Sequence, residues 1–241
     1  MTGTDITYTT RGDEDFTGYL ASPTKDVQVA GILMITAIFG IDDEMKELAN
    51  AWAADGFLVS VPDIFWRVMP GPTADMEKAF DRYGKFDTDQ GLLDIEDLLK
   101  DLKNRDLCNG KIAVLGFCFG GLYAHLAAAR FGIDAAGAFH GTRIGEYLHD
   151  TGKITCPVSH HFGSEDPVVP MEEVDSIKQA YASHGNAEIE IHAGATHNFA
   201  MPYKDGYHEQ AAAAARASVL RCFKLVATCT FINWTFGRIL L

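Results

Sequence analysis

The sequence predicts an α/β fold in which a mostly parallel β-sheet carries helices on both faces. Apolar runs of strand length alternate along the chain with amphipathic helical stretches, an order that is typical of parallel sheets. Several of these runs, such as 30–36 and 111–117, are continuously apolar, as strands covered on both faces tend to be. The length of 241 residues and the hydrophobic content of 47% suit one domain with a sizeable core.

The elements follow one another along a single domain that we expect to cover residues 1–225. The predicted strands span 17–21, 30–36, 57–63, 111–117, 135–140, 156–163 and 188–194. Helical spacing relates Met45, Leu48, Ala49 and Trp52 in one stretch and Leu92, Ile95, Leu98 and Leu99 in another. Residues 226–241 form an apolar tail that is too short to span a membrane. We interpret it either as a docked terminal segment or as residues from a cloning junction.

Charge and cysteine content argue against several functional classes. The net charge of −13 is spread along the chain without a compact Lys/Arg cluster, which disfavours nucleic acids and anionic membranes as partners. The N-terminal residues lack the pattern of a secretory signal, and five cysteines at irregular spacing fit a reducing compartment. We therefore expect a cytoplasmic protein that acts on a small molecule. Because no CxxC or HExxH pattern occurs, we expect neither a metal nor a cofactor.

The stretch GFCFG at 116–120 lies between a predicted strand and a predicted helix. In a tight turn from strand into helix, the apex residue is strained and the residues two positions away must be small. Gly116 and Gly120 meet that need, and Cys118 occupies the apex. A helix N-terminus there would stabilise a thiolate, so Cys118 is a candidate nucleophile. Taken alone, the motif also allows a small buried core cysteine.

Two later segments complete a candidate catalytic triad. Asp166 in FGSEDPVVP follows one predicted strand, and His197 in HAGATHNFAMP follows the next. The chain order of nucleophile, acid and histidine is that of α/β-hydrolases, whose catalytic groups lie at the carboxyl ends of strands. Glu165 is the competing acid, but Pro167 fixes a turn directly after Asp166 and favours Asp166.

Other histidines are given structural interpretations. His192 lies on an alternating strand and is predicted to be a strand-face residue, whereas His160 and His161 are expected to fill space beside the sheet. A metal site built from these histidines lacks a recognisable ligand spacing in the sequence.

In combination, these motifs resemble the dienelactone hydrolase family. The likeness includes IFG after the strand at 30–36 and VPDIFWR at the next strand end, and it runs from about residue 12 to about 225. It implies an α/β-hydrolase fold without a large cap domain. By this resemblance Cys118 is the nucleophile, His197 the general base and then acid, and Asp166 the group that orients His197. The same resemblance places the oxyanion-hole donors at the backbone amides of Ile38 and Phe119.

Two positions depart from the family pattern. Members that cleave an anionic lactone carry a glutamate before IFG and an arginine in the motif after the histidine, whereas this sequence has Ala37 and Met201. A second family arginine has no recognisable counterpart in TADMEKAF, which leaves Arg67 and Arg143 as the basic candidates near the pocket. Without the glutamate gate and the guanidinium clamp, we expect neutral substrates to be preferred over anionic ones.

The rest of the pocket is expected to be aromatic and mainly apolar, with core packing as the alternative for each residue. Besides Ala37 and Met201, the candidate wall residues are Phe39, Phe65, Trp66, Phe80, Phe117, His140 and Phe199. The prediction that combines these features is a hydrolase of activated neutral esters or lactones that forms a covalent Cys118 intermediate. Two alternatives stay open: hydrolysis of neutral phosphotriesters by the same triad, and a non-catalytic α/β-hydrolase that only binds a ligand.

Overall fold

A computed structural model describes residues 3–24 and 27–227, and these residues build one eight-stranded sheet flanked by helices. The strands are β1 (Thr4–Thr9), β2 (Asp15–Ala21), β3 (Val29–Ile35), β4 (Leu58–Pro62), β5 (Cys108–Phe117), β6 (Ala135–Phe139), β7 (Val158–Gly163) and β8 (Ala187–His192). The helices are α1 (Asp43–Ala54), α2 (Met76–Gly84), α3 (Thr88–Lys103), α4 (Gly120–Arg130), α5 (Met171–Tyr181) and α6 (Glu209–Ala227). A 3₁₀ segment covers Ile144–Lys153. The seven predicted strands all correspond to observed ones.

The strand order in the sheet is β1-β2-β4-β3-β5-β6-β7-β8. Strands β3 to β8 pair in parallel, whereas β1 pairs with β2, and β2 with β4, in antiparallel fashion. The mostly parallel sheet is therefore confirmed. Strand β1 was not predicted, because its sequence TDITYT is largely polar and Tyr8 is its only buried side chain. Its pairing with β2 defines it as a strand.

Helices cover both faces of the sheet, as predicted. Buried side chains of α1 and α6, including Trp52 and Phe223, belong to one core cluster with alternate residues of the central strands. Buried side chains of α3, α4 and α5, including Leu98, Leu122 and Ile177, belong to the cluster on the other face. Alternate side chains of a strand point to opposite faces, so a strand packed on both sides is continuously apolar.

No large cap covers the sheet within the described residues. The longest connection between successive strands joins β4 to β5 and holds only α2 and α3. Across 3–24 and 27–227, none of the helices combines the length and the apolar character that a membrane crossing requires. Helix α6 is described as far as Ala227, and most of the predicted tail, residues 228–241, lies outside the described residues.

The turn between β5 and α4 has the crowded geometry that its glycines predict. Cys118 at the apex has a φ of 51°, in the left-handed region that L-residues seldom adopt. A Cβ atom on Gly116 would overlap the backbone carbonyl of Gly120, and one on Gly120 would overlap the carbonyl of Ile35. Strand and helix therefore meet at a distance that only glycine allows.

We expect Gly116→Ala to destabilise the protein by about 1–3 kcal/mol or more, because the added methyl group must displace backbone rather than a side chain. Urea unfolding followed by circular dichroism measures the free energy of unfolding. Gly152→Ala is the matched control, since a Cβ at that position meets nothing within 4 Å. Equal stability of the two variants would contradict the crowding argument.

Candidate active site

Three loops at the carboxyl edge of the sheet bring Cys118, Asp166 and His197 together. Cys118 directly follows β5, Asp166 follows β7 and His197 follows β8. His197 Nδ1 lies 2.8 Å from Asp166 Oδ2, while Cys118 and His197 line the same pocket. The competing acid, Glu165, is exposed. The structure therefore pairs the histidine with Asp166.

Asp166 is held by backbone amides as well as by the histidine. Its Oδ1 accepts hydrogen bonds from the amides of Val168 at 2.8 Å and Val169 at 3.1 Å. The carboxylate is buried, with none of its side chain exposed. These bonds fix the carboxylate so that Oδ2 faces His197.

The environment of His197 favours its protonated form. Burial lowers the pKa of His197, but the hydrogen bond with Asp166 and the influence of the nearby Cys118 sulfur outweigh burial and raise the pKa to about 9. Nε2 is buried and has no hydrogen-bond partner among the described residues. Because Nδ1 is bound to Asp166, Nε2 is the nitrogen that can exchange a proton with a neighbouring group.

The backbone amides of Ile38 and Phe119, close to Cys118 in the chain fold, donate to no acceptor among the described residues. Ile38 lies in the loop after β3, and Phe119 directly precedes α4. Both residues line the pocket that contains Cys118. Free amides beside a nucleophile can bind the oxygen anion of a tetrahedral intermediate.

The loop that carries Ile38 is held by a buried arginine that sequence analysis missed. Nε and Nη2 of Arg82 donate to the carbonyl of Ile38 at 2.8 and 2.6 Å, and Nη1 donates to the carbonyl of Gly71 at 2.7 Å. Arg82 is fully buried, and burial lowers its pKa. It stands two residues beyond TADMEKAF, and its position on the face of α2 that buries Ala79 was the available signal.

The pocket above Cys118 has a volume of about 710 Å³. Helix α2, the segment 142–146 and helix α5 provide its walls. The lining residues are Ala37, Ile38, Phe39, Met76, Phe80, Tyr83, Cys118, Phe119, Thr142, Arg143, Gly145, Glu146, Val168, Glu173, Ser176, His197 and Asn198. Met76 and Phe80 are more than half exposed. Phe80 was among the predicted wall residues, whereas Met76, four residues earlier on the same helix, was not.

The predicted pocket walls need correction at six positions. Ala37, Phe39 and Phe80 line the pocket, but Trp66, His140, Phe199 and Met201 do not. The Trp66 ring stacks on Phe16 with centroids 5.0 Å apart, and its Nε1 donates to Asp94 at 3.1 Å. Phe65 and Phe117 are likewise core residues.

His140, Phe199 and Met201, three further predicted wall residues, are buried instead. The His140 ring is fully buried and packs edge-on against His197, with centroids 4.8 Å apart. Phe199 and Met201 are buried in the core cluster of α1 and α6. An apolar loop segment lowers its free energy by burying such side chains in the core. Position 201, where other family members carry an arginine, therefore lies away from the pocket. Asn198 of the same loop lines the pocket instead.

The charges of the pocket leave no free guanidinium among the described lining residues. Arg143 donates to Glu146 through Nε at 3.0 Å and Nη2 at 2.8 Å, and to the hydroxyl of Thr88 through Nη1 at 3.2 Å. A second carboxylate, that of Glu173, also lines the pocket. Arg67 does not reach it, because its guanidinium binds Asp94 and Glu14.

Comparison with known proteins agrees with this arrangement. The model of the family described as "Dienelactone hydrolase family" matches residues 16–227. The chain belongs to the dienelactone hydrolase family. It is accordingly a hydrolase, and the ester- and lactone-cleaving class follows from the family.

Sequence similarity to curated members of the dienelactone hydrolase family covers most of this chain. It is 27% identical over 206 residues to the carboxymethylenebutenolidase of Pseudomonas putida, covering 83% of this chain and 87% of that protein. It is 25% identical over 232 residues to carboxymethylenebutenolidase 1 of Cupriavidus pinatubonensis, covering 94% and 98%.

Solved structures confirm the α/β-hydrolase fold. A dienelactone hydrolase-like promiscuous phosphotriesterase from metagenomic libraries matches with a TM-score of 0.81 and 22% identity, covering 94% of this chain and 99% of its own. An esterase of Pyrococcus furiosus matches with a TM-score of 0.71 and 17% identity, covering 93% of each chain.

We expect His197 to remain protonated up to a pH of about 9, and Asp166→Asn to bring its titration midpoint down toward 6.5 because the carboxylate charge is lost. NMR of the histidine ring nitrogens measures the midpoint directly. Since folding raises this pKa, the stabilisation is complete below pH 6.5 and is lost as the pH rises through about 9. Midpoints near 6.5 in both proteins would contradict the assignment.

Proposed function

We propose that this chain hydrolyses activated neutral esters or lactones with Cys118 as a covalent nucleophile. The observation that carries the proposal is the 2.8 Å contact between His197 Nδ1 and Asp166 Oδ2 beside a pocket that also exposes Cys118. A buried carboxylate that orients a histidine, with a nucleophile on the other side of the ring, is the arrangement needed for acyl transfer.

The first half of the reaction forms a thioester. An imidazolium at His197 favours the thiolate of Cys118, whose sulfur attacks the carbonyl carbon of the ester. The carbonyl oxygen becomes an anion and accepts hydrogen bonds from the backbone amides of Ile38 and Phe119. These two amides have no other acceptor in the described chain. When the intermediate collapses, His197 Nε2–H gives its proton to the departing alkoxide or phenoxide.

The second half restores the enzyme. Neutral His197 takes a proton from water through Nε2, and the resulting hydroxide attacks the thioester carbon. The same two amides hold the second oxyanion, and the thiolate leaves as His197 keeps the proton. Asp166 keeps its charge throughout, since its role is to hold Nδ1–H and to stabilise the imidazolium.

The substrate is proposed to be neutral because of the charges around the pocket. Arg143 is the lining arginine, and Glu146 already occupies its guanidinium. Glu173 adds a carboxylate that would repel an anionic substrate. The apolar side chains of Phe39, Met76 and Phe80 suit an aryl or short acyl group. Lactones are included because the relatives are named for a butenolide.

Neutral phosphotriesters are the second candidate substrate. The observation in their favour is that the same pocket offers a nucleophile and two free amides without a free guanidinium. Sulfur attack on phosphorus with loss of an aryloxide would charge the phosphoryl oxygen, which the amides could bind. A structural neighbour is named a promiscuous phosphotriesterase.

The cytoplasm is the proposed compartment, and the state of the cysteines supports it. Cys108, Cys118, Cys156 and Cys222 are free thiols. Burial raises the pKa of Cys156 to about 11 and that of Cys222 to about 12, which keeps both as inert thiols. Thiols at irregular spacing suit a reducing environment.

We expect Cys118→Ala to lower kcat for a neutral aryl ester by at least about a thousandfold, because the nucleophile is lost. Release of the phenol at substrate saturation measures kcat, and mass spectrometry of quenched wild type should show an acyl adduct on Cys118. Cys156→Ala is the control, because that thiol is buried at the opposite edge of the sheet. Activity of Cys118→Ala within tenfold of wild type would overturn the proposal.

We expect kcat/KM to be at least about tenfold higher for a neutral aryl ester than for a carboxylate-bearing ester with the same leaving group. Glu146→Gln should narrow this gap by raising kcat/KM for the anionic ester, since it releases Arg143 from its partner. Glu96→Gln, which changes a surface carboxylate, is the control. A preference of the wild type for the anionic ester would contradict the proposed specificity.

A further inference from the structure

We propose that strands β7 and β8 carry a binding site for a divalent transition-metal ion such as Zn²⁺, formed by His161, Glu190 and His192. The three residues lie outside the pocket that contains Cys118. One potential ligand atom from each residue falls within 4.8 Å of the other two. Two imidazoles and one carboxylate form a ligand set that Zn²⁺ uses in proteins.

The separations of the ligand atoms suit a tetrahedral ion. His161 Nδ1 lies 3.1 Å from His192 Nε2 and 3.4 Å from Glu190 Oε2. Ligands bound tetrahedrally at Zn²⁺ distances are about 3.3 Å apart. Only the distance between His192 Nε2 and Glu190 Oε2 must shorten. The Glu190 side chain can move closer because it is 40% exposed.

A chain of hydroxyl groups fixes His161 in the tautomer that a metal needs. Ser218 Oγ donates to Glu188 Oε2 at 2.5 Å, so it accepts from Ser159 Oγ at 2.8 Å. Ser159 Oγ in turn accepts the Nε2–H of His161 at 2.8 Å. The proton of neutral His161 is therefore on Nε2, and the lone pair of Nδ1 faces the other two ligands.

Without an ion, this lone pair and the carboxylate face each other. His192 Nε2–H can donate to His161 Nδ1, but neither ring then offers a proton to the Glu190 oxygen 3.4 Å away. A metal cation can accept a lone pair from each of the three ligand atoms at once. The neighbouring cation, Arg221, forms its ion pair with Glu188 at 3.2 Å.

The register of the sheet builds the site from two strands. His161 pairs with Glu190, and Gly163 pairs with His192, so the three side chains share one face of β7 and β8. Strand β8 is at the edge of the sheet, which gives an ion access and leaves a fourth position for water. A bound ion would tie the end of β8 to β7, five residues before His197.

Metal titration of the Cys118→Ser protein, after removal of metals with a chelator, tests the proposal. The serine removes a competing sulfur beside His197. We expect one Co²⁺ to bind per chain with visible d–d bands and without a sulfur charge-transfer band. One Zn²⁺ should displace it and raise Tm.

Substitutions on the edge strand locate the site. His192→Gln and Glu190→Gln should each weaken Zn²⁺ binding at least about tenfold and remove the Tm shift. His149→Gln, which changes an exposed histidine in the 3₁₀ segment, should leave binding unchanged. The proposal is overturned if Co²⁺ and Zn²⁺ do not bind saturably at micromolar concentrations, or if binding survives His192→Gln. Glu190→Gln keeps the test decisive if His192→Gln does not fold.

Discussion

The close approach of α4 to β3 and β5 is the constraint on which the rest of the site depends. Gly116 and Gly120 permit it, since a Cβ on either would overlap backbone atoms. The approach holds Cys118 at a φ of 51° and leaves the amide of Phe119 without an acceptor in the described chain. The proposed nucleophile and one proposed oxyanion donor are thus positioned by one backbone turn, and the helix and sheet packed around Cys118 hold its strained backbone conformation.

Around this turn, buried charged groups act on the backbone and on each other. Asp166 accepts hydrogen bonds from two backbone amides and still faces His197. Its carboxylate raises the pKa of His197 against the effect of burial, which alone would favour the neutral imidazole. Arg82 is a buried cation whose hydrogen bonds hold the carbonyls of Ile38 and Gly71. The guanidinium of Arg82 thereby holds in place the loop that carries the proposed oxyanion donor at Ile38.

The proposed preference for neutral substrates and the proposed metal site on β7 and β8 both depend on how charged groups are paired. Arg143 lies at the pocket, but Glu146 satisfies its guanidinium, so its presence in the sequence does not make an anion site. In the cluster on β7 and β8, the hydroxyls of Ser159 and Ser218 direct a proton away from the ring nitrogen that faces Glu190. In each case the hydrogen-bond partner decides what the charged or basic group can bind.

The sequence alone determined the fold class, the two glycines of the turn and the candidate triad. These depend on local patterns: continuous apolar strands, small residues around Cys118, and Asp166 and His197 directly after strands. The tertiary structure decided the pocket. It buried Phe199 and Met201 in the core and brought Met76 into the pocket wall beside the predicted Phe80. It also paired β1 with β2 and placed His161 beside Glu190. Such contacts join segments far apart in the chain, and local spacing cannot show them because they depend on which helix or strand packs alongside.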